Sequence, residues 1–118
     1  MAITVTSPSV ATSGFIKNGV SADASGCEEI HSAVSGKKIK IRHVTLNNLT
    51  AGALSFTLGQ GETGGAVTTA LIGAVSIGAN SSLQWNFNPM MELAENTSLT
   101  IDLSGAGNIC AFVQGKVE

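Results

Sequence analysis

The chain's whole supply of imidazole and thiol is His31, His43, Cys27 and Cys110. Nucleophilic catalysis needs such a group held beside a base and an orienting partner, and none of the four lies in a nucleophile motif. Both cysteines fall in apolar, strand-like runs where a small buried thiol packs well, so free structural thiols are expected. The even count leaves a disulfide between them open. Glu28 and His31 are three residues apart on an extended segment and point to opposite faces, so a metal would need one histidine from each copy of an oligomer, gathered on its axis. Paired acids for glycoside hydrolysis would have to come from Glu62, Glu92, Glu95 and Asp102, in a chain with one Trp, no Tyr and four Phe to form sugar platforms. Trp85 is in phase with Leu83 and Phe87, a core position. The run GQGETGG (59–65) lacks the Lys-Ser/Thr pair and the helix of a phosphate loop. No catalytic, cofactor-binding or metal-ligating residue is assigned, and the chain is not expected to be an enzyme.

The remaining chemical feature is VSGKKIKIRHVTLNN (34–48), where Lys37, Lys38, Lys40 and Arg42 supply four of the six basic residues. A polyanion site and the solvated face of a strand are the two readings. Taking Cys27–Val34 and Lys37 onward as strands of one hairpin around Ser35-Gly36, Ile30 opposes Ile41 on one face and Glu29 opposes Arg42 on the other. The basic residues are then an outer face and Glu29–Arg42 a cross-strand charge pair. After Arg42 the apolar phase moves to Val44 and Leu46, which predicts a bulge near His43 or a change of packing environment. No aromatic is interleaved with the cluster for bases to stack on, and the net charge is −2. Neither nucleic acid nor a membrane is expected as a partner. No run approaches the ~18 apolar residues of a membrane span, and the opening MAITVTSPSVATSGF lacks the features of a secretory signal, so residence in a cytoplasm-like compartment is expected.

Period-2 alternation dominates the rest. Leu54, Phe56 and Leu58 alternate with Ser55 and Thr57; Leu83, Trp85 and Phe87 with Gln84, Asn86 and Asn88; Leu99, Ile101 and Leu103 with Thr100 and Asp102. Each reads as a half-buried strand. Residues 109–113 (ICAFV) are apolar on both sides, as for a strand covered on both faces. The run 66–77 is rich in β-branched residues, and Gly73 marks a bend. Gly/Asn-rich turns separate the strands. The expectation is an all-β, single-domain sandwich or jelly roll over residues 27–118, with residues 1–26 as an N-terminal arm or loosely attached strands. Charged residues make up only 12%, against about 25% in an average domain, which favours self-association or docking onto a larger assembly. Candidate contact residues are Ile3, Val5, Phe15 and Ile16 on the arm and the adaptable pair Met90-Met91.

The stretch AVSGKKIKIRHVTLNNLTAGALSFTLGQ (33–60), with Gly78–Leu83, Phe87-Asn88-Pro89, Ala94–Leu99 and Leu103–Val113, resembles the strand-and-turn pattern of small structural proteins of tailed bacteriophages. It departs from that pattern at 88–93 (NPMMEL), where Gly and aromatics are usual after the Pro. The resemblance implies a small sandwich used in virions: a capsid decoration (cement) protein on the outer surface of the head, trimeric, bound to the major capsid protein and stabilising the shell. The alternative is a host-recognition module of a tail fibre or spike, touching a receptor through the loops at 59–65 and 105–108. A carbohydrate-binding or enzymatic jelly roll is the third reading.

Overall fold

The computed structural model describes residues 4–6, 14–21, 28–61, 67–105 and 107–118. These form nine antiparallel strands: β1 (Thr4–Thr6), β2 (Gly14–Ser21), β3 (Glu28–His31), β4 (Ile39–Asn48), β5 (Leu54–Gly61), β6 (Val67–Ile77), β7 (Ser82–Glu92), β8 (Leu99–Leu103) and β9 (Ile109–Val117). One sheet has the order β1-β2-β9-β4-β7, the other β3-β8-β5-β6. The alternation read from the sequence fills the space between them: Ile39, Ile41, Val44 and Leu46 of β4, Phe56 and Leu58 of β5, Leu99 and Ile101 of β8, and Val113 of β9 are all buried. The fold is an all-β sandwich of two facing sheets.

Three expectations need correction. The first concerns residues 1–26: of the two readings, arm or attached strands, the described part has strands, though not loosely attached ones. Gly14–Ser21 pairs with β9 along its whole length, and Phe15 lies in the core at 7% exposure. The sandwich therefore begins well before residue 27. The inward positions of β2 are Phe15, Lys17 and Gly19, so the strand has no apolar alternation by which to be recognised. The second is the hairpin. Ser35-Gly36 does form a turn, with Lys37 N donating to Val34 O (3.1 Å) and Gly36 at φ 72°. However, it carries the chain from one sheet to the other. Glu29 opposes Thr100 of β8, while β4 lies between β9 and β7. The Glu29–Arg42 pair does not exist. Two facing sheets both bury their isoleucines, so the phase of Ile30, Ile39 and Ile41 fits a crossover as well as a hairpin. The third is the loop at 59–65, because β5 runs on through Gly61. Gly59 must be glycine here: a Cβ would stand 2.1 Å from Thr69 O.

The expected bulge is present. Both neighbours of β4 shift register between Ile41 and His43. β6 is a single strand that slips against β5 at three places, one of them around Gly73. At the opposite end of the sandwich from the Ser35-Gly36 turn, Asn48 is buried at 1% exposure. Its Nδ2 donates to Gly52 O, Ile77 O and Gly78 O (2.9–3.2 Å), and its Oδ1 accepts from Thr50 N (2.9 Å). One amide thus ties the loop after β4 to the turn between β6 and β7. Asn48→Ala would strand buried carbonyls and is expected to cost about 1–3 kcal/mol, measured as a lower urea midpoint with unchanged slope.

Candidate docking surface

The polar side chains with chemical potential are dispersed rather than gathered. His31 lies on β3 and His43 on β4, in different sheets. His43 Nδ1 donates to Asn86 Oδ1 of β7 (2.6 Å) and Nε2 accepts from the Thr45 hydroxyl of its own strand (2.5 Å), so both ring nitrogens are occupied within the sheet. His31 sits edge-on to Phe15 (ring centroids 4.6 Å apart), closing the gap between β2 and β3, and its Nδ1 donates to Ser32 O (2.8 Å). Among the described residues no group of three or more His, Cys, Asp or Glu could hold a metal ion. Cys110 is a free thiol, with Sγ 3.5 Å from Asn18 Oδ1; Cys27 lies outside the described residues.

Burial lowers the pKa of His31, against the Ser32 carbonyl, which raises it; Lys17 lowers it further and Glu29 raises it. The folded protein therefore holds fewer protons at this site than the unfolded chain. This contribution to stability is complete above the unfolded histidine value, about 6.5, and is lost as pH falls through it toward the lower folded value. Thermal melts between pH 7.5 and 5 should show a decline that His31→Gln flattens; an equal decline in both proteins would exclude His31 as its source.

The basic cluster is divided by the fold. Lys38 Nζ lies 3.4 Å from Glu92, and Lys40 Nζ 3.5 Å from Glu92 and 3.1 Å from Glu118, which also pairs with Lys116 (2.9 Å). Hydrogen bonds from Lys38 and Lys116 hold the carboxyls of Glu92 and Glu118, respectively, below their usual range, and the bond to Glu118 raises Lys40. These partners come from β7 and the end of β9. Sequence reading had no access to them, because their register is set by pairing across 50 or more residues.

Arg42 is different. Between the pairs Ile41↔Met91 and His43↔Asn86, β4 contributes only Arg42 while β7 contributes Phe87, Asn88, Pro89 and Met90. The two strands bulge apart, and the guanidinium is left exposed beside an open groove of about 480 Å³ lined by Arg42 and by Asn86 through Met90. Arg42 makes no hydrogen bond or ion pair with the described residues. The groove combines a guanidinium, two amides, an aromatic ring, a proline and a thioether; arginine, aromatic residues and methionine are the types enriched where proteins bind proteins. The proline and the adaptable methionine are both visible in the sequence, although β7 runs on through Pro89 to Glu92. Their meeting with Arg42 is not, since it requires the long bulge.

The other candidate contact residues fare unequally. Met90 lines the groove, and half-buried Met91 packs on the core. Val5 and Ile16 are half-buried, Val5 opposite Gly19 on β2 and Ile16 opposite exposed Gln114 on β9. Phe15 is buried and has no free surface for a partner. Ile3 lies outside the described residues. The outward side chains of β9, Cys110 and Phe112, are half-buried rather than covered by a further layer.

No family model matches the chain, and no curated protein does. A crystal structure of a cupin domain from Bordetella pertussis Tohama I is similar to it with a TM-score of 0.40 at 9% identity, over 99% of this chain and 94% of that one. A likeness of that degree carries no functional argument.

Proposed function

We propose that this chain is a structural, non-enzymatic virion protein of a tailed bacteriophage, a decoration protein that binds the major capsid protein on the outer surface of the head as a homotrimer. The observation that carries the reading is the groove beside Arg42, where an exposed guanidinium, Phe87 and Met90 gather at a sheet edge next to lysines engaged in ion pairs. The strand-and-turn resemblance, the two-sheet architecture and the scarcity of charge support it in the same direction. In this reading Arg42 meets a carboxylate of the capsid subunit, and Phe87 and Met90 supply the apolar part of the contact. Phage shells lacking a decoration protein should take up the purified chain at a stoichiometry fixed by their lattice and become more resistant to heat. A chain that bound bacterial cells or glycans by itself, with no affinity for shells, would instead be a host-recognition module.

A further inference from the structure

We infer that copies of this chain associate through the flank formed by β6 and β7. The two strands are the terminal members of their sheets. They lie at the same side of the sandwich, because Phe15 of β2 meets His31 of β3 at the opposite side and Trp85 of β7 meets Phe56 of β5 at this one (centroids 5.7 Å apart). Edge strands of monomeric proteins are protected by inward or flanking charges, above all lysine. Here residues 63–91, which contain all of β6 and all of β7 except Glu92, include no Asp, Glu, Lys, Arg or His.

Between these two edges the core opens to solvent. Leu71, Val75, Trp85 and Met91 pack against the buried cluster yet remain partly exposed, and Leu83 is 37% exposed although it opposes fully buried Leu46. The β6 edge is disrupted by its three register slips, whereas Ser82–Asn86 pairs with β4 in unbroken register. The slips hinder open-ended strand addition but leave the apolar seam uncovered.

The occupant is a second copy of the same flank. A seam built from residues 63–91, which carry no charge of their own, meets its own image without like-charge repulsion and without desolvating an unpaired ion within it, the two costs that usually prevent like surfaces from associating. Copies arranged around a closed axis bring identical seams together there. This gives the oligomer of the proposed function its contact surface, and rests on that reading only for the number three.

The test is native mass by light scattering, with three proteins. The wild-type chain should give a multiple of its 11.9 kDa. Leu83→Lys, placing a charge on the seam, should give 11.9 kDa with an unchanged β-type circular dichroism spectrum. Gln84→Lys, on the neighbouring residue that opposes Thr45 on the outer face, should keep the wild-type mass. The single tryptophan gives a reading that needs no variant: on dilution through dissociation, Trp85 emission should move to longer wavelength. A wild-type monomer at millimolar concentration, a Leu83→Lys protein of wild-type mass, dissociation by Gln84→Lys as well, or Trp85 emission unaltered while the mass falls would each overturn the assignment. A dimer would support the flank and contradict the trimer. Self-association without shell binding would sink the proposed function alone, and shell binding by a permanent monomer would sink this inference alone.

Discussion

In the proposed docking, Arg42→Glu is expected to weaken attachment to capsid shells by roughly 100-fold, about 2.7 kcal/mol, with no change in melting temperature beyond about a degree or two. The size follows from the position. Arginines at the centre of protein interfaces are common hot spots, and reversing one leaves a repulsive carboxylate opposite the partner's own. The absence of a stability effect follows from the fold: Arg42 is exposed and bonded to no described side chain or carbonyl, so its removal strands nothing, and such surface changes stay within about ±0.5 kcal/mol. Binding isotherms on undecorated shells at two salt concentrations, beside thermal melts of the free protein, make the comparison. Unchanged affinity would mean that the groove is not the docking end. A large loss of stability would mean that Arg42 acts within the fold.

Gly115→Ala is expected to cost about 3 kcal/mol, near the top of the range for overpacking, and to lower the melting temperature by on the order of 10 °C. Gly115 opposes Ile41 at the point where β4 bulges, and there the Lys40 carbonyl closes over its Cα, so a Cβ would stand 1.9 Å from Lys40 O. The obstruction is main chain in the centre of a sheet, and relief requires β4 and β9 to separate or the bulge to flatten. Flattening would also return Arg42 to regular register, so the surviving folded protein should bind shells more weakly than its stability alone predicts. The contrast is Gly73→Ala on β6, where a Cβ meets nothing within 4 Å. Equal melting temperatures for Gly115→Ala and the wild type would show that the close approach is readily relaxed.

The parts of the fold that could be read from residues were those in which one sheet face alone decides the pattern. Leu54/Phe56/Leu58 and Leu99/Ile101/Leu103 alternate because their apolar side chains all enter the core, and both are core strands. The shift of phase after Arg42 correctly marked the bulge, because a one-residue insertion inverts every later side chain. What could not be read was partnership. The segment around Ile30 and that around Ile39 look alike whether they pair with each other or face each other across a core, so the crossover at Ser35-Gly36 resembles a hairpin, and the hairpin register sets Glu29 against Arg42 of the other sheet. The place of β2 beside β9 is not legible, because Lys17 and Gly19 occupy its inner positions. At the candidate surface, Arg42, Asn88-Pro89 and Met90 each stood out singly, but their shared groove depends on four residues of β7 spanning one of β4, a mismatch that only the assembled sheet contains.

The central claim is that this sandwich is a coat of the head, and the most direct measurement is its position in the virion. Electron microscopy of particles labelled through an antibody or a tag on the chain should place it in a regular lattice over the outer face of the capsid, with copies grouped around symmetry axes and the Arg42 groove turned toward the shell. Label confined to the tail tip or fibres, or absent from purified particles, would contradict it.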